Sequence, residues 1–277
     1  MKLSLSELAS VQPNILLGIT VHALSLPQLN GLVAEAIRRN QRWIIANHNL
    51  HSVYLYHHDP KVGAFFTKAN YIHIDGMPLV FLGKLLGFPL RREHRVTYVD
   101  WTNPLMAEAA QQGWRVFYLG SKPGVAEQGA DILRERFPKL QIATAHGYFD
   151  ARPNSPENLA MVEAINAYQP QVLMVGMSMP RQEHWILDNL DQLCTNVILP
   201  SGAAIDYVAG AVSTPPRWAG RWGLEWLFRL FAEPKRLWRR YLVEPWFLLW
   251  LVLGERFQRR SPATRRRRSG LKRKSLW

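Results

Sequence analysis

Short apolar runs alternate with longer amphipathic stretches along most of this chain. Runs rich in β-branched and aromatic residues are typical of buried strands, and they occupy 14–20, 42–47, 71–74, 114–119, 140–144, 172–176 and 197–200. Stretches with apolar residues at helical spacing lie between them, at 26–39, 50–69 with a break near Pro60, 79–86, 99–112, 125–137, 157–168 and 181–190. Strands separated by helices indicate βαβ units. The pattern therefore predicts an α/β fold, a Rossmann-like and mostly parallel sheet with helices on both faces.

The pattern changes at Pro215-Pro216. The next forty residues hold six of the eleven tryptophans, interleaved with arginines at near-helical spacing. The most apolar run in this part, 246–253, is far shorter than the roughly 20 residues needed to span a bilayer. We expect helices that lie in the membrane interface. The chain then divides into a globular domain 1–214, an amphipathic membrane-docking appendage 215–253, and a basic tail 254–277 that we expect to be disordered.

The net charge of +13 is unevenly distributed. Residues 1–216 contain 17 basic and 17 acidic side chains, whereas 217–253 contain seven basic and three acidic, and 254–277 contain ten basic and one acidic. This charge suits an anionic membrane surface. Basic runs also bind nucleic acid without specificity, so a nucleic-acid-binding protein acting through its tail is an alternative. The neutral body offers no docking face for it, and no specific nucleic acid is expected.

The single cysteine, Cys194, excludes an internal disulfide and leaves too few thiols for a cysteine-based metal site. A reducing, cytoplasmic setting is the default expectation. No secretory signal is visible in the first residues.

One carboxylate is placed where chemistry is expected. The run Tyr71–Ile74 ends abruptly in Asp75-Gly76, and ligands of open parallel sheets bind outside the carboxyl ends of the strands. Asp75 is therefore a candidate for catalysis. Capping the following helix is the commoner use of an aspartate at such a junction, and this alternative stays open.

Loops of small residues follow several other predicted strands. The turn Gly120-Ser-Lys-Pro-Gly124 joins a strand to a helix, where backbone N–H groups can hold a phosphate. It is neither a Walker A loop nor the Gly-x-Gly-x-x-Gly fingerprint, which disfavours a second alternative, a nicotinamide-dependent oxidoreductase. Glycines after three more strands belong to the same edge: Gly147, Gly176 and Gly202. Tight packing explains such glycines about as well as ligand binding does.

Gln182 and Glu183 open a helix directly after a strand. Helix initiation explains them, but an amide at this edge could also bind a uracil or a diphosphate. The sequence has no Asp-x-Asp element, and the histidines at 48–58 are more consistent with packing on a helix than with metal binding. We expect neither a metal nor a cofactor.

Together these motifs resemble the WecG/TagA/CpsF glycosyltransferases, glycosyltransferase family 26. The likeness runs in order from about Asn14 to about Leu253, and it is carried by Asn47-His-Asn49, Asp75-Gly76, Arg95-Val-Thr-Tyr-Val-Asp100, Gly120-Ser-Lys-Pro-Gly-Val125, His146-Gly-Tyr-Phe149, Pro180-Arg-Gln-Glu183 and Gly223-Leu-Glu-Trp-Leu-Phe-Arg229.

The resemblance implies a UDP-sugar-binding catalytic domain over 1–214 and an inverting, metal-independent transfer. The donor would be a UDP-sugar and the acceptor a polyprenyl-diphosphate-linked saccharide used in cell-surface polysaccharide synthesis. The enzyme would be cytoplasmic and peripheral on the inner face of the cell membrane. The sugar stays open between glucose, N-acetylmannosamine and its uronic acid, and a homo-oligomer is compatible with the sequence.

The resemblance also assigns roles to residues. It implies that Asp75 is the general base, that Asn49 lies in the same pocket and that Arg95 holds a phosphate. The arginines of the appendage that dock on the membrane and complete the site would be Arg229, Arg236 and Arg239. With the loops above, the predicted substrate-binding set is Asn47, Gly76, Asp100, Gly120, Lys122, Pro123, Gly147, Tyr148, Gly176, Gln182, Glu183, Gly202 and Asp206.

The chain departs from the family pattern at three places. Tyr98 stands where a glycine is usual, the glycine-rich turn before Pro180 is Met177-Ser-Met179, and the stretch ending in Asp206 reads Pro-Ser-Gly-Ala-Ala-Ile-Asp. Each change alters the shape of the pocket, so the donor is not carried over from other members.

Overall fold

The computed structural model describes residues 11–212, 225–232 and 234–260, except for the side chains of 225, 229, 232, 236 and 255–260. Its eight strands are β1 Pro13–Leu16, β2 Ile19–His22, β3 Trp43–His48, β4 Tyr71–Ile74, β5 Arg115–Gly120, β6 Gln141–Ala145, β7 Val172–Gly176 and β8 Val197–Pro200. The helices of the body are α1 Leu26–Arg38, α2 Leu50–His58, α3 Pro60–Lys68, α4 Met77–Leu85, α5 Tyr98–Gln112, α6 Val125–Arg136, α7 Pro156–Tyr168, α8 Arg181–Asn189 and α9 Ala204–Val208.

Six of these strands form one sheet, in the order β4-β3-β8-β7-β5-β6, and every neighbouring pair is parallel. The predicted α/β, Rossmann-like fold is confirmed. Because all six strands point the same way, the loops that follow them meet at one edge of the sheet. The break near Pro60 is confirmed as well, since Asp59 ends α2 and caps α3.

The prediction of a single strand over 14–20 is wrong. Leu17 and Gly18 adopt φ angles of 55° and 77°, so the chain turns back and β1 pairs antiparallel with β2. Two successive residues at positive φ are typical of a tight hairpin turn. This hairpin lies outside the six-stranded sheet.

Side chains of alternate strand residues point to opposite faces of the sheet, and a buried cluster forms on each face. The first cluster includes Trp101, Leu105 and Val116 and is covered by α1, α5 and α6. The second includes Phe65 and Trp185 and is covered by α3, α7 and α8. A third cluster joins the hairpin to α2 and α4, and it includes Leu16, Val53, Leu79, Leu248 and Val252.

The C-terminal part is helical where it is described, as predicted. It comprises α10 Glu225–Ala232, α11 Pro234–Trp238, a π-helical turn Arg239–Val243 and α12 Glu244–Arg260. The last helix contributes Leu248 and Val252 to the third cluster.

The last helix continues to Arg260 and so overlaps the tail predicted from residue 254, which we expected to be disordered. Residues 261–277 lie outside the described part of the chain. Within the described ranges, no helix has both the length and the apolar character needed to cross a bilayer.

Candidate functional site

Asp75 lies at the carboxyl end of β4, on the loop edge of the sheet. Its backbone N–H donates to the carbonyl of His48 at 2.9 Å, which continues the pairing of β3 with β4. The capping residue of α4 is Gly76, and it makes no side-chain cap. The side chain of Asp75 is half-buried. Asp75 therefore does not occupy the capping position of α4, and its carboxylate lies at the loop edge of the sheet.

Asn49 reaches the same place from β3. It caps α2, with its Oδ1 accepting from the N–H of Ser52 at 3.1 Å. Its Nδ2 lies 3.4 Å from Oδ2 of Asp75, and Nη2 of Arg240, on the π-helical turn, lies 3.4 Å from its Oδ1. The amide is thus shared between the helix cap, the candidate base and an arginine of the C-terminal helices.

Arg95 flanks the site on the outer side of β4. The N–H of Val96 donates to the carbonyl of Ile74 at 2.9 Å, so the segment of Arg95 runs along the sheet edge. Nη1 of Arg95 lies 3.4 Å from Oδ2 of Asp100, and the same carboxylate accepts from Oγ1 of Thr97 at 3.0 Å. The guanidinium of Arg95 is therefore held beside the end of β4, the strand that Asp75 follows.

Tyr98, the residue that replaces the usual glycine, is buried and stacks on Trp101 with ring centroids 5.4 Å apart. Burial, together with the neighbouring charge of Asp75, raises the pKa of the Tyr98 phenol well above its usual value. Its hydroxyl has no hydrogen-bond partner among the described residues. The phenol therefore stays neutral and fills space close to the candidate base.

Three glycines of the loop edge are explained by close packing. A Cβ at Gly120 would overlap the carbonyl of Gly176, and one at Gly176 would lie 2.5 Å from the carbonyl oxygen of Gly202. A Cβ at Gly147 would lie 3.1 Å from Cα of Gly120. These residues allow the loops after β5, β6 and β7 to approach one another, which is the packing alternative considered above.

Two other glycines face open space. Gly124 and Gly202 have φ angles of 82° and 55°, and a Cβ at either position would meet nothing within 4 Å. Gly124 caps the N-terminus of α6, and Lys122 and Pro123 beside it are exposed. Tyr148 is exposed as well. This part of the edge is accessible, and it presents helix N–H groups with a lysine beside them.

Asp206 and Asn47 tie neighbouring loops together. Oγ of Ser121 donates to Oδ1 of Asp206 at 2.6 Å, which joins the loops after β5 and β8. Nδ2 of Asn47 donates to the carbonyl of Pro200 at 3.1 Å, which joins β3 to β8. Asn47 is buried, so it supports the edge from below.

Gln182 and Glu183 are each only 1% exposed. Nε2 of Gln182 donates to Oε1 of Glu183 at 2.8 Å, and the N–H of Gly202 donates to Oε1 of Gln182 at 3.1 Å. Burial raises the pKa of Glu183 to about 7. The pair holds the β8 loop in place from inside, and its predicted contact with substrate stays a prediction.

The buried histidines near the site are packing residues. Burial lowers the pKa of His48 to about 3 and that of His73 to about 4, so both are neutral at pH 7. His48 stacks on Phe66 with centroids 4.0 Å apart. In the described part of the chain, no three His, Cys, Asp or Glu residues are grouped as ligands of a metal ion would be.

Arg240 was not among the predicted site residues. Of the three predicted arginines of the appendage, Arg239 is exposed, and the side chains of Arg229 and Arg236 lie outside the described residues. A helical spacing of four from Arg236 points to Arg240 and is the signal that could have identified it. Its contact with Asn49 depends on how the C-terminal helices pack, which spacing does not reveal.

The site is elongated. Asp75 follows β4, whereas the Gly120–Gly124 turn follows β5, four strand positions away. At a strand spacing of about 4.8 Å this separates them by roughly 19 Å. Two surface hollows of about 520 and 410 Å³ lie elsewhere, at the opposite edge of the sheet, and both include Arg115 and Gln171. Neither involves the candidate site.

Comparison with known proteins confirms the family resemblance found in the sequence. The family model described as "Glycosyl transferase WecG/TagA/CpsF family" matches residues 14–262, slightly further than the motifs indicated. Curated relatives include the N-acetylglucosaminyldiphosphoundecaprenol N-acetyl-beta-D-mannosaminyltransferases of Staphylococcus aureus strains NCTC 8325 / PS 47, COL and N315. Each is 27% identical over 210 residues, which cover 72% of this chain and 80% of the relative. The chain belongs to the WecG/TagA/CpsF family and is a glycosyltransferase.

Proposed function

We propose that this glycosyltransferase moves a sugar from a UDP-sugar to a polyprenyl-diphosphate-linked N-acetylglucosamine, with inversion and without a metal ion. The acceptor class follows the printed activity of the Staphylococcus aureus relatives. At 27% identity and with an altered pocket at Tyr98, the transferred sugar is left open between N-acetylmannosamine, its uronic acid and glucose.

The observation that carries this proposal is the position of Asp75. It lies with Asn49 at one end of the loop edge, while the open turn around Gly124 lies about four strands away. A site of this length suits a ligand with two functional ends. The nucleotide would occupy the glycine loops, and the reacting sugar would lie toward Asp75.

Asp75 would act as the general base. It accepts the proton of the acceptor hydroxyl while that oxygen attacks the anomeric carbon, and the bond from this carbon to UDP breaks. Such a base must lie within about 3 Å of the hydroxyl. A carboxylate is weakly basic at neutral pH, so proton transfer becomes favourable only as the hydroxyl acidifies in the transition state. Asn49 contributes by holding the carboxylate in place.

The negative charge that develops on the departing UDP needs cationic or N–H donors. The backbone N–H groups of 120–124 are available at the start of α6, beside exposed Lys122. Arg95 and Arg240 lie at the other end of the site, next to Asp100 and Asn49. These groups supply positive charge where some glycosyltransferases would use a bridging divalent ion.

The acceptor explains the C-terminal helices. A polyprenyl-linked substrate stays in the membrane, so the enzyme must bind the inner leaflet. Trp246 and Trp250 are 70% and 71% exposed on α12, and aromatic side chains of this kind anchor proteins at the interface. Each lysine or arginine near an anionic leaflet adds roughly 1 kcal/mol of binding.

The test is a donor screen with the purified full chain. UDP-linked N-acetylmannosamine, its uronic acid and glucose would each be supplied with N-acetylglucosaminyl-diphosphate-polyprenol in detergent, with and without EDTA. We expect UDP release and a product of inverted anomeric configuration with one donor, unchanged by EDTA. No release with any UDP-sugar would refute the donor class, and loss of activity in EDTA would refute metal independence.

A further inference from the structure

The helix that follows Asp75 exposes an apolar face. Phe81 and Leu85 of α4 are 52% and 54% exposed, and at a spacing of four they lie side by side on the helix surface. The opposite face is packed, with Leu79 and Val80 in the third cluster. Ile15, on the hairpin whose neighbour Leu16 packs in the same cluster, is 57% exposed. Two large apolar side chains on so short a helix form a face that no other described part of the chain covers.

Most exposed apolar residues belong to the C-terminal helices, the hairpin and α4. Among the described residues, fifteen large hydrophobic side chains are exposed, and nine of them belong to the C-terminal helices. Three more are Ile15, Phe81 and Leu85. The last helix packs onto the third cluster through Leu248 and Val252, so α4 and α12 share one core. The exposed face of α4 and the exposed tryptophans of α12 therefore belong to helices that pack on the same buried cluster.

The surroundings of this face are cationic. Lys84 lies in the last turn of α4, and Arg91 and Arg92 follow in the next loop, all three exposed. Glu93 is the acidic residue of this segment, and Arg91 lies 3.6 Å from it. An apolar face bordered by lysine and arginine matches the headgroup region of an anionic leaflet, where apolar side chains enter the acyl boundary and cations meet lipid phosphates.

We propose that α4 is a second membrane contact, in which Phe81 and Leu85 enter an anionic phospholipid leaflet and Lys84, Arg91 and Arg92 bind its phosphates. A second copy of the chain fits less well, since a symmetric contact would bring the same cationic border against itself. The helix begins two residues after Asp75. If the proposed function holds, lipid contact at α4 fixes the depth of the base relative to the diphosphate of the acceptor.

The experiment compares two variants of the full chain. Phe81→Ser combined with Leu85→Ser removes the face, and Leu159→Ser, at a residue 44% exposed on α7, is the matched control. Binding is measured by co-sedimentation with phosphatidylcholine vesicles with and without phosphatidylglycerol. We expect the double variant to bind the anionic vesicles about tenfold more weakly, and the control to change less than about twofold. Thermal unfolding of both variants should match the parent, because the substituted side chains are exposed.

A charge-reversal variant, Lys84→Glu with Arg91→Glu and Arg92→Glu, gives an independent reading. It should lose most of the difference between anionic and neutral vesicles. Unchanged vesicle binding in both the serine and the glutamate variants would overturn the proposal. So would a parent dimer that the serine variant converts to a monomer without loss of vesicle binding, since the face would then join two copies.

Transfer assays separate this inference from the proposed function. With acceptor embedded in anionic vesicles, the serine variant should be about tenfold slower than the parent, whereas with a short-chain, water-soluble acceptor the two should be equal. If the serine variant loses vesicle binding but the parent transfers sugar to neither acceptor, the proposed function is refuted and the membrane contact at α4 is retained. If the serine variant and the parent are equally active on the vesicle-embedded acceptor as well as on the water-soluble one, the proposed role of α4 is overturned.

Discussion

The body of the molecule and its C-terminal helices use apolar residues in different ways. Among the described residues, the C-terminal helices supply only Leu237, Leu248 and Val252 to the buried hydrophobic set. They nevertheless carry nine of the fifteen exposed large hydrophobic side chains. The body has two full clusters of its own, one on each face of the sheet. The body thus buries most of its large apolar side chains, whereas the described C-terminal helices leave more of theirs exposed than buried.

The two regions nevertheless meet at the site. Nδ1 of His51 lies 2.7 Å from Oε2 of Glu244, and Arg240 reaches Asn49. Both partners in the body lie at the start of α2, beside Asp75. Docking of the C-terminal helices is therefore placed where it can influence Asp75, the candidate base.

The largest effect is expected from Asp75→Asn. The amide cannot accept the proton of the acceptor hydroxyl, so the turnover rate should fall about a thousandfold. UDP-sugar affinity, measured by calorimetry, should stay close to that of the parent, because the charge removed lies far from the glycine loops. Asp131→Asn, on the exposed face of α6, is the matched control. Near-normal turnover in the Asp75 variant would remove the base from the mechanism.

The sequence was sufficient for the six strands of the parallel sheet and for the edge on which their loops meet. The Asp75 run and the run before Gly120 both read as buried strands, and parallel connections place their carboxyl ends together. The order of the strands was not legible, since long-range pairing depends on packing rather than on local pattern. For this reason the sequence could not show that four strand positions separate Asp75 from Gly120.

Two other features could not be predicted from the sequence, for similar reasons. The turn at Leu17 and Gly18 lies inside a continuous apolar run, so the pattern predicted one strand where the chain forms a hairpin. The contact between Arg240 and Asn49 joins residues nearly two hundred positions apart. The position of a candidate site residue could be predicted where that residue follows a strand of the sheet. It could not be predicted where the residue comes from a distant part of the chain.

Glu183 provides the next largest effect, and it is confined to the body. Its folded pKa of about 7 exceeds the ordinary 4.5, so its contribution to stability is fully present below about pH 4.5 and is lost as the pH rises through 7. The loss is on the order of 3 kcal/mol. Glu183→Gln should remove this dependence and make the protein more stable than the parent at pH 8. Urea unfolding at pH 5 and pH 8 measures it.

The control for that comparison is Glu163→Gln, which alters an exposed carboxylate on α7 and should leave the pH dependence unchanged. A parent whose unfolding free energy is equal at pH 5 and pH 8 would contradict the assignment of a raised pKa to Glu183.

Trp246→Ser combined with Trp250→Ser tests the C-terminal helices. Both side chains are largely exposed, so the thermal midpoint of the body should stay unchanged. Binding to anionic vesicles should weaken by roughly ten- to a hundredfold, because interfacial burial of two indoles is lost. The measurement is co-sedimentation, with Tyr148→Ser on the body as the matched control. A lowered thermal midpoint with intact vesicle binding would show that these tryptophans stabilise the fold and do not bind the membrane.

The smallest effect is expected at the junction itself. Glu244→Gln weakens the contact between Glu244 and His51, whose side chains are 10% and 17% exposed, respectively. A hydrogen bond of this kind contributes about 1 kcal/mol. The loss should appear as faster amide exchange in 244–253, with the sheet of the body unchanged and with Glu127→Gln on α6 as the control. Because Arg240 contacts Asn49 from the preceding turn, a looser α12 should also slow transfer to the lipid acceptor by a few-fold. Unchanged exchange in 244–253 would show that apolar packing at Leu248 and Val252 alone holds this helix on the body.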